Sequence, residues 1–164
     1  MFYLLRNLLA IIGLIAVVAA AYAVVQFQPA LTTLGEFEDR AMDVFKDMGV
    51  KLVETGNMAE ASIWKVPVDE GMTAADVEET MKFVANEHNF KNVGEMPLSK
   101  EVESMSGKPY RYVKIFMFCN ALTASRMLDY NDAFSSYLPC RITLIEDQQG
   151  KLWLYTLNMD GMIY

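Results

Sequence analysis

The side chains best suited to covalent or metal chemistry in this chain are Cys119, Cys140 and the single histidine, His88. Cys119 closes one apolar stretch and Cys140 opens another. Two thiols can form a disulfide, hold a ligand, or pack as small apolar groups. If the two stretches are antiparallel strands, the thiols share one end of a sheet. If the helix between them makes a parallel crossover, they lie at opposite ends. A disulfide needs Cα atoms within about 7 Å. No C-x-x-C is present, which argues against thioredoxin-like exchange. Each thiol stands beside a geometry-setting residue, Asn120 and Pro139. Cys119, Asn120 and Cys140 are therefore the candidate ligand-binding residues.

One histidine excludes most His-based metal sites and a Ser-His-Asp triad beyond it. His88 ends the apolar face of its segment, where an imidazole caps a helix C-terminus or packs at a core rim. The twelve methionines include Met159 and Met162 spaced M-x-x-M. A Met/Cys/His copper site is chemically sensible outside the cytoplasm. The methionines are scattered over core positions, however, so no metal and no cofactor is expected. Asp129, Asp132, Glu146 and Asp147 lie near turns and read as solvated charges. Trp64, Tyr110, Tyr112, Trp153 and Tyr155 fall on strand-like stretches, as packing pairs or as the lining of a ligand cleft. Nothing here makes a catalytic constellation, and the expectation is a non-enzymatic protein.

The elements that must position these groups are legible from periodicity. Ser62–Val68 has strand composition. Thr73 and Asp76 form a capping-box-like start to a helix reaching about His88, with Ala74, Val77, Met81, Val84 and His88 on one face. Phe90–Pro97 is extended, and Tyr110–Cys119 is the strongest strand. Thr123 is placed to cap a short helix. Arg141–Glu146 and Leu152–Leu157 are strands joined by Asp147-Gln148-Gln149-Gly150, a hairpin loop ending in glycine.

Upstream, Leu8–Val25 reads LLAIIGLIAVVAAAYAVV, without a charge. At ~1.5 Å per residue such a run spans the bilayer hydrocarbon. Small residues at Ala19–Ala21 and Ala23 also suit a cleaved signal peptide, but the run exceeds a signal core and continues past that site. Arg6 precedes it, while Glu36, Glu38 and Asp39 follow before Arg40, so the positive-inside rule puts the N-terminus in the cytoplasm. From Leu31 to Met48 apolar residues recur at helical spacing, at Leu34, Phe37, Ala41, Val44 and Met48. Gly49 is placed as a stop signal. Leu34, Phe37, Val44 and Met48 are the candidate partner-binding residues of this stalk.

The stretch from Phe118 to Asp160 resembles the domain of unknown function 302 family. The pieces that carry the resemblance are F-x-C-N-A at Phe118 onward, L-P-C-R at Leu138 onward, the acidic-glycine hairpin and the last strand. The helix from Thr73 to His88 followed by Asn89-Phe90 resembles the family's helix and Gly-Phe strand start, with Asn89 where Gly is usual. Ala121 stands where Pro often follows Cys-Asn. The resemblance covers about residues 60–160. It implies a small α+β domain with helices on a mostly antiparallel sheet and no assigned activity.

The expected architecture is thus α+β: a small, mostly antiparallel sheet packed with two or three helices. The domains are a transmembrane anchor over 1–28, an amphipathic stalk helix over 29–50, and a soluble domain over 51–164. The formal net charge of −7 argues against nucleic acid, whose phosphates require clustered Lys and Arg. The mean hydropathy of +0.16 owes most of its excess to the first 25 residues. The expected setting is a bacterial inner membrane, with the domain periplasmic. The partners expected are the lipid bilayer and a larger membrane-protein complex, to which the chain is an accessory subunit. The alternative is a small-ligand or metal-binding sensor domain with a cleft near Cys119, Asn120 and Cys140.

Overall fold

The computed structural model describes residues 2–36 and 39–160. The chain divides into two compact units after Asp47, and the second runs to Met159.

The first unit begins with α1 (Phe2–Glu36). Within its Tyr3–Ala30 segment the most apolar 18 residues have a mean hydropathy of 2.8, and none of that stretch is buried. It is long and apolar enough to cross a membrane, and it is apolar on all faces, as a span is and a surface helix is not. Pro29 lies inside α1. The hydroxyl of Thr32 donates to the carbonyls of Gln28 (3.1 Å) and Pro29 (2.8 Å), just past that proline.

Helix α2 (Asp39–Thr55) follows. The apolar stripe expected on one stalk helix is therefore shared by two. Leu34 belongs to α1, Val44 and Met48 lie half-buried on α2, and Phe37 is outside the described residues. Gly49 does not end the helix. A glycine inside a helix costs about 1 kcal/mol against alanine but does not break it. The stop comes at Gly56, whose φ of +64° is the left-handed conformation that ends helices. Its N–H bonds the Leu52 carbonyl at 2.9 Å.

In the second unit the order is α3 (Met58–Ala61), β1 (Ile63–Pro67), α4 (Ala74–Glu87), β2 (Lys91–Met96), α5 (Leu98–Ser106), β3 (Val113–Cys119), α6 (Ala121–Tyr130), a 3₁₀ helix (Asp132–Tyr137), β4 (Cys140–Glu146) and β5 (Leu152–Leu157). The strands form one five-stranded sheet in the order β1-β5-β4-β3-β2, and every neighbouring pair is antiparallel. The α+β class expected from the strand and helix pattern is the class observed.

Local chemistry explains most boundaries. Thr73 and Asp76 close a complete capping box at the start of α4. Its end is a Schellman turn: Phe90 N–H reaches the Ala85 carbonyl (2.7 Å), Asn89 N–H reaches Asn86 (3.0 Å), and Asn89 takes φ +58°. The β4–β5 hairpin turns on Asp147, whose carboxylate accepts from the Gln149 and Lys151 N–H groups at 2.9 Å and from the Trp153 indole at 2.7 Å. Two features differ from the sequence reading. The cap of α6 is Asn120, not Thr123, and α5 occupies a stretch where no helix was expected.

One face of the sheet carries the core. Phe116 and Leu144 are fully buried, with Phe118 and Val77 nearly so. Val77 brings α4 onto that face. Two faces of α4 are thereby set: one against Phe116, Phe118 and Leu144, the other toward solvent.

A candidate ligand cleft between α4 and the sheet

Strand register decides what shares the core face. Phe118 pairs with Cys140, Ile142 with Thr156, and Thr156 in turn with Trp64. Leu144 pairs with Leu154, and Leu154 with Val66. Side chains alternate along a strand, so Trp64, Leu154, Thr156, Cys140, Ile142 and Phe118 present to the same side as α4.

Helix α4 covers only part of that side, because a charged clamp holds it toward β2 and β3. The Lys114 ammonium on β3 pairs with Glu78 of α4 and with Glu95 of β2 (2.8 Å). Lys82 of α4 reaches Glu95 at 2.7 Å, and the Tyr112 hydroxyl donates to Glu78. Hydrogen bonds from Lys114, then Lys82, draw the Glu95 carboxyl from its ordinary 4.5 down to about 2. Burial alone would raise Glu78, but the bonds from Lys114 and Tyr112 outweigh it and hold it low. Burial and the carboxylate of Glu78 both push the Tyr112 hydroxyl up. The network is charged and fully partnered, so it reads as a structural clamp.

On the other flank, toward β5 and β1, no described residue of the second unit fills the space under α4. The result is a cleft of about 620 Å³, inside the ~300–1,000 Å³ range of small-molecule sites. Its helix wall is Val77, Thr80, Met81, Val84, Ala85 and His88; its floor is Trp64, Phe118, Cys140, Ile142, Leu154 and Thr156. Pro67, Val68, Asp69 and Met72 close one end, and Phe90 lies at the other. Trp64 and Val84 stand at the mouth, 42% and 43% exposed. The lining is apolar apart from Asp69, Thr80, His88, Cys140 and Thr156, and it includes no Lys or Arg. The Thr80 hydroxyl donates to the Asp76 carbonyl and that of Thr156 to the Arg141 carbonyl.

The sequence-expected site residues separate here. Cys119 and Cys140 lie at the same end of the sheet, because β3 and β4 are antiparallel; the parallel crossover is excluded. Both thiols are free. Cys140 faces the cleft, whereas Cys119, one residue past its paired neighbour Phe118, points to the other face. Burial, reinforced by the nearby Cys119, pushes the Cys140 thiol up, which disfavours a reactive thiolate. Asn120 serves the fold: its Oδ1 accepts from the N–H groups of Leu122 and Thr123 at 3.1 Å, and its Nδ2 donates to the Asn89 carbonyl at 3.2 Å. His88 sits at the rim, as the apolar face of α4 implied. Of the strand tryptophans and tyrosines, Trp64 lines the cleft; Trp153 and Tyr155 lie on the opposite face, under the Lys65 ammonium. Met72 and Asp69, in the β1–α4 loop, carried no periodic signal that marked them. Among the described residues no three His, Cys, Asp or Glu side chains group to hold a metal. Met162 of the M-x-x-M pair lies outside the described residues.

No curated protein matches this chain. A crystal structure of an uncharacterized conserved DUF302 protein from Bacillus stearothermophilus is similar in fold. It matches with a TM-score of 0.52 at 18% identity, over 58% of this chain and 72% of that one. The family described as Domain of unknown function DUF302 matches residues 64–164. That span takes in strands β2 to β5, β1 from Trp64 onward, helix α4 and every residue lining the cleft, and the chain belongs to the DUF302 family.

Proposed function

We propose that this protein is a membrane-anchored binding module, with α1 as a single span and the cleft under α4 as the receptor for a small apolar molecule. The observation that carries the reading is the cleft itself: about 620 Å³, walled by aliphatic, aromatic and thioether side chains of α4 and the sheet. An apolar pocket with few polar groups is the usual form of a ligand site. Water held there gains little, so an apolar guest that displaces it gains the hydrophobic term. The anchor follows the positive-inside reading of Arg6, with the N-terminus cytoplasmic and the domain on the periplasmic side of a bacterial inner membrane. The test uses Trp64. In Trp153→Phe, Trp64 is the sole tryptophan, and saturable quenching of its emission by bromobenzene in phospholipid nanodiscs supports the cleft. Emission left unquenched by bromobenzene and by a brominated long-chain alcohol alike sinks it.

A second reading, an accessory subunit of a larger membrane complex, draws on a different surface. Helix α2 leaves Met42, Val50 and Val53 exposed, Val53 at 86%. An exposed apolar stripe on a helix is a common form of partner face. Val53→Glu should then release the protein from a complex purified in mild detergent while leaving its thermal unfolding unchanged. Loss of folding instead would assign the stripe to the domain itself.

A further inference from the structure

We propose that the guest of the α4 cleft is a single long aliphatic chain drawn from the bilayer, with a head group that carries no net negative charge. The inference rests on the binding-module reading above and names its ligand class. Three observations carry it. The first is shape. The helix wall runs as one stripe from Val77 through Met81 and Val84 to His88, about 16 Å of helix at the ~1.5 Å rise per residue. A groove three turns long suits a linear chain better than a compact ring.

The second is charge. No Lys or Arg lines the cleft, and a carboxylate or phosphate leaving water needs a cation to meet it. At one end of the groove stands Asp69, which repels an anion. At the other, His88 caps the C-terminus of α4 beside Glu87, where the helix dipole also disfavours negative charge. Hydrogen-bonding groups other than carboxylates also line the cleft, in the His88 imidazole and the hydroxyl oxygens of Thr80 and Thr156. The third is supply. The same chain carries a helix long and apolar enough to cross a membrane. Tethering to a bilayer raises the effective concentration of membrane-borne guests over that of dilute soluble ones.

The experiment uses the full chain carrying Trp153→Phe in phospholipid nanodiscs, with Trp64 emission as the readout. The probe is 9,10-dibromostearyl alcohol, compared at mildly alkaline pH with 9,10-dibromostearic acid. Saturable quenching by the alcohol, roughly tenfold weaker for the acid, and reduced by Val84→Lys at the cleft mouth, is the expected result. Circular dichroism of the Val84→Lys chain checks that it is folded, and Met81→Lys provides a second blocking variant. Nanodiscs of brominated phosphatidylcholine without added alcohol should leave Trp64 bright. Equal quenching there means that Trp64 touches the bilayer, and overturns the proposal. Equal binding of the acid overturns the head-group assignment. Quenching by bromobenzene without quenching by the alcohol sinks the chain-like ligand alone; silence from both sinks the binding-module reading as well.

Discussion

Asn89 and Asn120 show how much a single amide can organise. Asn89 holds φ +58° at the end of α4, a left-handed helix end of the kind that most often carries glycine. Asparagine tolerates the left-handed region better than other non-glycine residues. Asn89→Ala should therefore destabilise the domain by about 1 kcal/mol, while Asn89→Gly should be neutral or mildly stabilising. Chemical denaturation of both variants checks the pair; equal losses would mean the side chain matters more than the backbone. Asn120 caps α6 and ties it to the end of α4. Asn120→Ala should cost about 1 kcal/mol. Asn120→Asp keeps the cap acceptor but loses the donor to Asn89, so it should fall between. Ala121, at the first position of α6, occupies the place where proline is favoured in helices generally, which explains why either residue fits. Cys140 is the third residue with a clear expectation. Its thiol is pushed up by burial and should label slowly with iodoacetamide in the native protein and fast in denaturant. Rapid native labelling would return a reactive thiol to consideration.

At the scale of elements, the placing of α4 is set by polar and apolar contacts together, with the Lys82 and Lys114 ammonium groups lying over the Phe116 ring. Phe116, fully buried under it, is the largest apolar contributor, and Phe116→Ala should cost about 3–5 kcal/mol. The Glu78–Lys114–Glu95–Lys82 clamp adds direction more than strength, since partly exposed ion pairs contribute little net stability. Its pH signature is nevertheless definite. Glu95 is drawn from 4.5 to about 2, so its folded pKa lies below its unfolded one. The stabilisation is then fully present above the unfolded value and is lost as pH falls from there through the folded one. Urea midpoints measured down this acid range should fall less steeply in Glu95→Gln than in the parent, and the variant should be the weaker of the two near neutrality. Parallel curves would remove Glu95 from the clamp. Because the clamp holds α4 toward β2 and β3, its loss should also widen or shift the cleft, read as altered Trp64 quenching.

For the whole molecule, helix α1, long and apolar enough to cross a membrane, is the feature that most constrains use. If α1 is a retained span, the protein stays with membranes through carbonate extraction, because inserting so many apolar residues is strongly favourable. A mature chain beginning near Ala21 by mass spectrometry would identify a cleaved signal sequence instead. Sidedness is independent of retention: protease added to spheroplasts should remove the domain, and protection until lysis would place it in the cytoplasm.

What the sequence by itself determined is what depends on near neighbours. Apolar run length marked α1, 3.6-residue periodicity and the Thr73–Asp76 box marked α4, and alternation with the Asp147–Gly150 turn marked the final hairpin, because each rests on contacts a few residues apart. The motif pieces around Cys119 and Cys140 led to the family for the same reason. Thr123 was misassigned as a cap because Asn120 offers the same chemistry three residues earlier, and only the backbone angles of the strand end select between them. Strand order and register are different in kind. They arise from contacts between residues far apart in the chain, where the burial of Phe116, Phe118 and Leu144 competes against every alternative pairing. That competition turned Cys140 into the cleft and Cys119 away from it, since a shift of one residue along a strand reverses the face. It also left the flank under α4 open, because the ion pairs that hold the helix toward β2 and β3 join Glu78, Lys82, Glu95 and Lys114 across three elements, and no local pattern records a space that forms only when the sheet and the helix meet.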